Sequence, residues 1–475
     1  MIHESVYELR HALRGAVRFR ADGTLEVLDE KQVRGPIIDA LARDAVFGTD
    51  KVREYARWVI WELAQSLGIH PASIHDLYMA RGRGECGGFT VPALNIRIMT
   101  YDMARAALRA AIEHNVGAFI FEIARSEIGY TDQRPAEFAS GVIAAAIREG
   151  FRGPLFIQGD HFQFNAKKYA KDPASELAAV QSLTAEALAA GFYNIDIDAS
   201  TLVDLKQPTL DLQQKVNYEL TAEMTAFIRE REPKGVTVSI GGEIGEVGGK
   251  NSTEEELRAF LDGYNRTLKA RGNKLAGLSK ISIQTGTKHG GFVLPDGTLA
   301  QNVALDFETL EHLSKLAQRE YGLGGAVQHG ASTLPEAAFD KFPAIETGEI
   351  HLATGFLNLL FDHDAVPDEL KKRMYRWVEK ECADERTAGE TDEQFYYKTR
   401  KKAIGPFKAD WWGLPPEVRQ VIGEALEEKF AFFFQKLAVT NTVELVNRYV
   451  KPTVIHRPAP DGLLGGAVDV AGLAD

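Results

Sequence analysis

Three histidines, His161, His289 and His329, stand at or just beyond the ends of apolar runs, in "IQGDH", "TKHGG" and "AVQHG". Imidazoles from three separate segments can give a metal ion three nitrogen ligands and leave positions open for a substrate, as a catalytic zinc site requires. Asp160 directly precedes His161, so a carboxylate able to move a proton would lie beside anything bound there. A single histidine of this kind is ordinarily a hydrogen-bonded structural residue. Three in equivalent positions make the metal reading. Gly290 and Gly330 follow two of the histidines and would let backbone N–H groups approach an anion closely, although one His-Gly pair alone reads as a turn.

These residues need strands to carry them. Eight short, β-branched runs alternate with helical stretches between residues 86 and 360: 89–96, 117–124, 153–161, 192–200, 235–243, 278–286, 324–330 and 348–355. Helix signals such as "YDMARAALRAAIEHN" and "DFETLEHLSKLAQREYG" lie between them, the pattern of strands joined by crossover helices in a parallel sheet. Eight such units match an α/β fold of the closed (β/α)8 TIM-barrel type, which takes about 250 residues; an open doubly wound sheet is the alternative. Ser126, Asp160, His161, Asp198, Ser200, Glu243, His289, His329 and His351 all fall near strand C-termini. In a barrel those ends meet on one face, where active sites of this architecture are built.

The barrel is expected over residues 86–362. Residues 1–85 form an N-terminal extension with a hairpin, "AVRFRADGTLEVLDE", turning at Asp-Gly, and a helix around "VREYARWVIWELAQSLG". Residues 363–475 form a mostly helical C-terminal extension whose aromatic groups, Trp411 with Trp412 and Phe432 to Phe434, need a surface to pack on, either the barrel or another subunit. The tail from residue 459 is small-residue-rich and expected to fray.

Composition narrows the function classes. A net charge of −12 gives no general attraction to nucleic acid or anionic membrane. The two cysteines, Cys86 and Cys382, make no disulfide framework, and neither a signal peptide nor a membrane-length apolar run is visible, so a cytoplasmic protein is expected.

Taken in order, "FTVPALNI", "GDH", "IDAS", "GGEIGEVGG", "TKHGG", "QHGAS" and "HLATGF" resemble the motifs of class II, metal-dependent ketose-bisphosphate aldolases, over about residues 86–360. The resemblance implies that His161, His289 and His329 hold Zn2+, with room for an additional cation. It implies that Asp160 exchanges a proton with the C4 hydroxyl as the C3–C4 bond of a phosphorylated ketose breaks to dihydroxyacetone phosphate and an aldehyde. Asp198 and Glu243 match acidic residues near the metal, and Glu243 is taken with Asp160 as catalytic. Gly290, Gly330, Ser332 and Thr354 match the phosphate cradle, with Ser126 and His351 as further substrate contacts. A homo-oligomer, dimer or tetramer, is also implied.

The chain departs from that pattern in places. His351 stands where the family usually has asparagine, and Lys250 and Asn251 follow "GEVGG" where an acidic residue is usual, leaving Glu254, Glu255 or Glu256 as substitutes or as a solvated helical turn. The aromatic-lysine pair usual after His289 is missing, so Lys288 or Arg125 would have to supply that contact. Lys280 is the one lysine placed for a Schiff-base mechanism instead. A non-catalytic sugar-phosphate sensor, or an aldolase for another ketose phosphate or monophosphate, are the alternative functions.

Overall fold

The computed structural model describes residues 2–245, 250–286, 294 and 305–460. After the helix Val6–Ala12 comes a hairpin of β1 (Val17–Phe19) and β2 (Leu25–Val27), with the Asp22-Gly23 turn where the sequence indicates it; Gly23 supplies the positive φ of 84°. After the helix Asp50–Ser66 comes β3 (Ile69–Ala72). Then follow β4 (Val91–Asn95), β5 (Ile120–Ala124), β6 (Gly153–Gln163), β7 (Asn194–Asp198), β8 (Ser239–Glu243), β9 (Lys280–Ile283), β10 (Ala326–Gln328) and β11 (Glu349–Leu352). Each of β4 to β11 pairs in parallel with the next, and β11 pairs back with β4, so these eight strands close a barrel. All eight runs expected from the sequence are strands, and the fold is the (β/α)8 barrel. The expected helices fall at Thr100–Glu113, Pro173–Ala190, Leu210–Arg229 and Phe307–Tyr321.

One strand was not legible in the sequence. β3 pairs in parallel with the first part of β6, Ile69 opposite Gly153 through Ala72 opposite Phe156, while β7 pairs with β6 from Gln158 onward. The N-terminal extension therefore shares a sheet with the barrel. Fully buried Asn194 ties the junction: its Oδ1 accepts from the Ile74 N–H at 2.9 Å, and its Nδ2 donates to the carbonyls of Ala72 (3.1 Å) and Ile157 (3.0 Å).

The flanks enclose the barrel. The helices Ile38–Phe47 and Asp50–Ser66 pack on Pro135–Glu149, and the helix Pro416–Lys436 packs on Thr100–Glu113. The C-terminal aromatics find their surface within the chain: Trp411 meets Phe361 edge-on (centroids 5.6 Å apart), Trp412 meets Phe47 (5.6 Å), and Phe433 meets Phe339 (4.9 Å). Among the described residues no helix is long and apolar enough to cross a membrane.

Candidate active site

Successive side chains of a strand point to opposite faces, so Asp160 and His161 could not both face one cavity from a regular β6. The strand solves this with a bulge. Gly159 pairs with Ile195 and Phe162 with Ile197, leaving two residues of β6 against the single Asp196 of β7. His161 takes the left-handed φ of 41° there, a strained conformation for a residue with a Cβ. Gly159 is required as well, because a Cβ at that position would lie 2.4 Å from the Phe162 ring.

Both side chains thus line a cavity of about 990 Å³ at the C-terminal ends of the strands, together with His329. The His161 and His329 rings lie 4.2 Å apart, and ligand atoms of Asp160, His161 and His329 fall within 4.8 Å of one another. His289, the third expected ligand, and Gly290 lie outside the described residues. Ser126, Gly330, Ser332, His351 and Thr354 all line the same cavity. Gly330 adopts φ 69° ahead of Ser332, whose Oγ accepts from the Gly355 N–H at 3.1 Å in the first turn of the helix beginning at Thr354. Such a helix N-terminus suits an anion.

Asp198 and Glu243 stand on the far side of His161. Nδ1 of the ring is 3.0 Å from Asp198 Oδ2 and 3.2 Å from Glu243 Oε2, while its Nε2 is 3.8 Å from Asp160 Oδ1. The remaining Asp198 oxygen is held by the N–H and hydroxyl of Ser200, at 3.0 and 2.7 Å. A carboxylate on Nδ1 fixes ring orientation and leaves Nε2 for a ligand. Glu243 is not among the cavity-lining residues described; it acts on His161. Burial opposes a charge on His161, but Asp160, Glu243 and Asp198 outweigh it and hold its pKa well above the ordinary histidine value. Burial raises the Glu243 pKa, whereas the bonds from His161, Ser200 and Gln163 outweigh burial at Asp198 and lower its pKa. This donor set calls for a positive charge between the carboxylates, and two imidazoles with an adjacent carboxylate are the ligand types a zinc-like cation takes.

Below the cavity runs a second polar layer that the sequence reading missed. Lys280 Nζ, from β9, bonds Gln158 (2.7 Å) on β6, Asp196 (3.0 Å) on β7 and Glu349 (2.5 Å) on β11. None of those strands neighbours β9, so the bonds cross the barrel interior. Gln158 also donates to Glu122 at 3.1 Å, and Tyr78 of the N-terminal extension donates to Glu349. Gly241 leaves the space, since a Cβ there would meet Asp196 Oδ1 at 2.3 Å. Burial disfavours the charged Lys280, but Asp196 and Glu349 raise its pKa; a lysine so held is protonated and does not line the cavity, which argues against the Schiff-base role. Burial pushes Glu122 up to about 7 and Asp196 up to about 6.

His351 joins the two layers. Its Nδ1 lies 3.0 Å from Glu122 and 3.2 Å from Asp160, and its Nε2 is 2.7 Å from Glu349. Both nitrogens therefore face carboxylates, and its place in the cavity wall is beside Asp160. Two of the three glutamates after Lys250 are engaged elsewhere: Glu256 closes a capping box with Thr253, and Glu254 bonds Arg258 at 2.8 Å and His312 at 2.5 Å, while Glu255 is exposed in the first helical turn. Arg125 lines the cavity but is paired with Glu176 at 2.6 Å.

The family model described as D-tagatose-1,6-bisphosphate aldolase subunit GatZ/KbaZ-like matches residues 103–275, from the first barrel helix to the segment before β9. No curated protein matches the chain. Among solved structures, a glycerol complex of fructuronate-tagaturonate epimerase UxaE from Cohnella laeviribosi is 12% identical, with a TM-score of 0.50, over 94% of this chain and 91% of that one. Fructose-bisphosphate aldolase (Fba) from Campylobacter jejuni is 17% identical, with a TM-score of 0.47, over 79% and 97%. At 12% identity the epimerase structure speaks to the fold alone, while the family model makes residues 103–275 similar to tagatose-bisphosphate aldolase subunits.

Proposed function

We propose that the chain is a class II, metal-dependent aldolase that breaks or forms the C3–C4 bond of a phosphorylated ketose. Fructose 1,6-bisphosphate or its tagatose epimer is the first substrate to test, and dihydroxyacetone phosphate and an aldehyde are the products. What supports the reading most is the β6 bulge, a strained backbone that turns Asp160 and His161 into one cavity beside His329.

His161 and His329, with His289 from outside the described residues, would hold the zinc ion, and Asp198 with Glu243 would hold His161 in place or take an additional cation. A divalent cation there supplies a Lewis acid for the negative charge that develops on the substrate carbonyl oxygen. Asp160 takes the proton of the C4 hydroxyl as that oxygen becomes the aldehyde, and returns it in the synthetic direction. His351, 3.2 Å from Asp160, holds that carboxylate in position. Gly330, Ser332 and the helix starting at Thr354 bind a phosphate of the substrate.

A second reading comes from the epimerase fold match, which extends over both flanking regions. Cleavage, rotation of the bound aldehyde and rejoining on its other face would change the configuration at one carbon with the same residues. Proton NMR of the purified chain with fructose 1,6-bisphosphate, tagatose 1,6-bisphosphate or tagaturonate separates the two, because one releases an aldehyde and the other only an epimer. Asp160→Asn is expected to lower turnover about 10²-fold or more with metal retained. Parental turnover in that variant, or turnover unaffected by exhaustive chelation, would overturn the proposal; zinc binding without turnover of any of these sugars would favour the sensor.

A further inference from the structure

One wall of the cavity comes from the C-terminal region. Gly389, Glu390, Tyr397, Lys398 and Lys401 line it, together with Arg97 from beyond β4. The cations of this wall differ in their partners. Lys398 is paired with Glu390 at 2.8 Å. Arg97, only 7% exposed, is paired with Glu127 and donates to the Tyr130 hydroxyl at 3.1 Å, yet its Nε is buried with no acceptor among the described residues. Lys401 is exposed and forms no close ion pair among the described residues; its ammonium lies 6.0 Å from the centroid of the Tyr130 ring, whose hydroxyl accepts from Arg97. Crowding by the surrounding protein lowers the Lys401 pKa, the charges of Arg97 and Lys402 add to this, and Glu385 opposes it. A nearly buried guanidinium whose Nε–H has no acceptor, with a second cation beside it on the same cavity wall, suits an anion entering the cavity.

We propose that Lys401, with Arg97 beside it, binds the anionic group at the C6 end of the sugar, so that the C-terminal region selects ketoses ending there in a phosphate or carboxylate. The inference rests on the reading of this cavity as a ketose site and adds to it a specificity-determining residue outside the barrel. Loss of a charge-assisted hydrogen bond between an ammonium and such an anion is expected to weaken affinity about tenfold.

The test compares the full-length, zinc-loaded chain with Lys401→Met, Lys401→Arg and Lys402→Met. Lys402 pairs with Glu385 and is not among the residues lining the cavity, so it controls for loss of a neighbouring positive charge. Dissociation constants from calorimetry, and KM and kcat where turnover occurs, are measured with fructose 1,6-bisphosphate, fructose 1-phosphate and tagaturonate. Lys401→Met is expected to shrink the preference for fructose 1,6-bisphosphate over fructose 1-phosphate about tenfold, through KM rather than kcat. Lys401→Arg should restore it to within about threefold, and Lys402→Met should keep it. If tagaturonate binding weakens instead, the anion held is a carboxylate. The calorimetric arm stands without turnover, so a chain that binds but does not cleave sinks the aldolase reading and leaves Lys401 tested. Affinities unmoved by Lys401→Met, or moved equally by Lys402→Met, would overturn the proposal.

Discussion

Asp198 holds the Nδ1 side of His161 with one oxygen and is itself held by Ser200 and Gln163, so the ring has one orientation available. Removing that support should loosen the metal more than the fold. Asp198→Ala is expected to weaken zinc binding about 10- to 100-fold, read by titration against a competing chelator, with the far-ultraviolet circular dichroism unchanged. That Asp160, His161 and His329 would meet on one face could be read from residue type and position at strand ends. Glu122, Gln158, Asp196, Lys280 and Glu349 could not, because each sits inside an apolar run and looks like an isolated exception until the barrel closes and brings them together. His351 was read as a substrate contact; its two carboxylate-facing nitrogens became visible only with those neighbours in place.

Among the elements, β6 does the most. Its bulge is anticipated by nothing in "FIQGDHFQF" beyond a glycine before an ionisable pair, since register against β7 is a property of two strands. β3 also escaped the sequence reading, because "IHPA" is short and contains proline, which removes a ladder donor and argues against a strand. It is tolerated where Asn194 supplies side-chain bonds at the junction. Asn194→Leu would leave the Ile74 N–H and the carbonyls of Ala72 and Ile157 without that partner, at about 1–3 kcal/mol for each group left unsatisfied. A loss of at least 2 kcal/mol in urea-unfolding stability is expected. Equal stability of variant and parent would show that the extension is not held this way.

For the whole molecule, His75 makes stability depend on pH. It lies in the helix His75–Gly82, where burial depresses its pKa to about 4, with Arg229 adding to the effect. The folded state holds the ring neutral while the unfolded chain takes up a proton near the ordinary value, so this contribution is present above about pH 6.5 and is lost as pH falls toward 4. The loss amounts to about 2 kcal/mol between pH 7 and pH 5. Urea titrations at those two values should show that difference shrink in His75→Phe. At this scale the sequence by itself determined the alternation of strands and helices and the gathering of chemically able residues at strand ends, because periodicity and residue type are local. Only the tertiary structure decided which of those residues share a cavity, that a charged layer fills the barrel beneath them, and that the chain's own C-terminal region walls the site. Those outcomes depend on register, strand closure and the partners of buried charges, which arise between segments far apart in the chain.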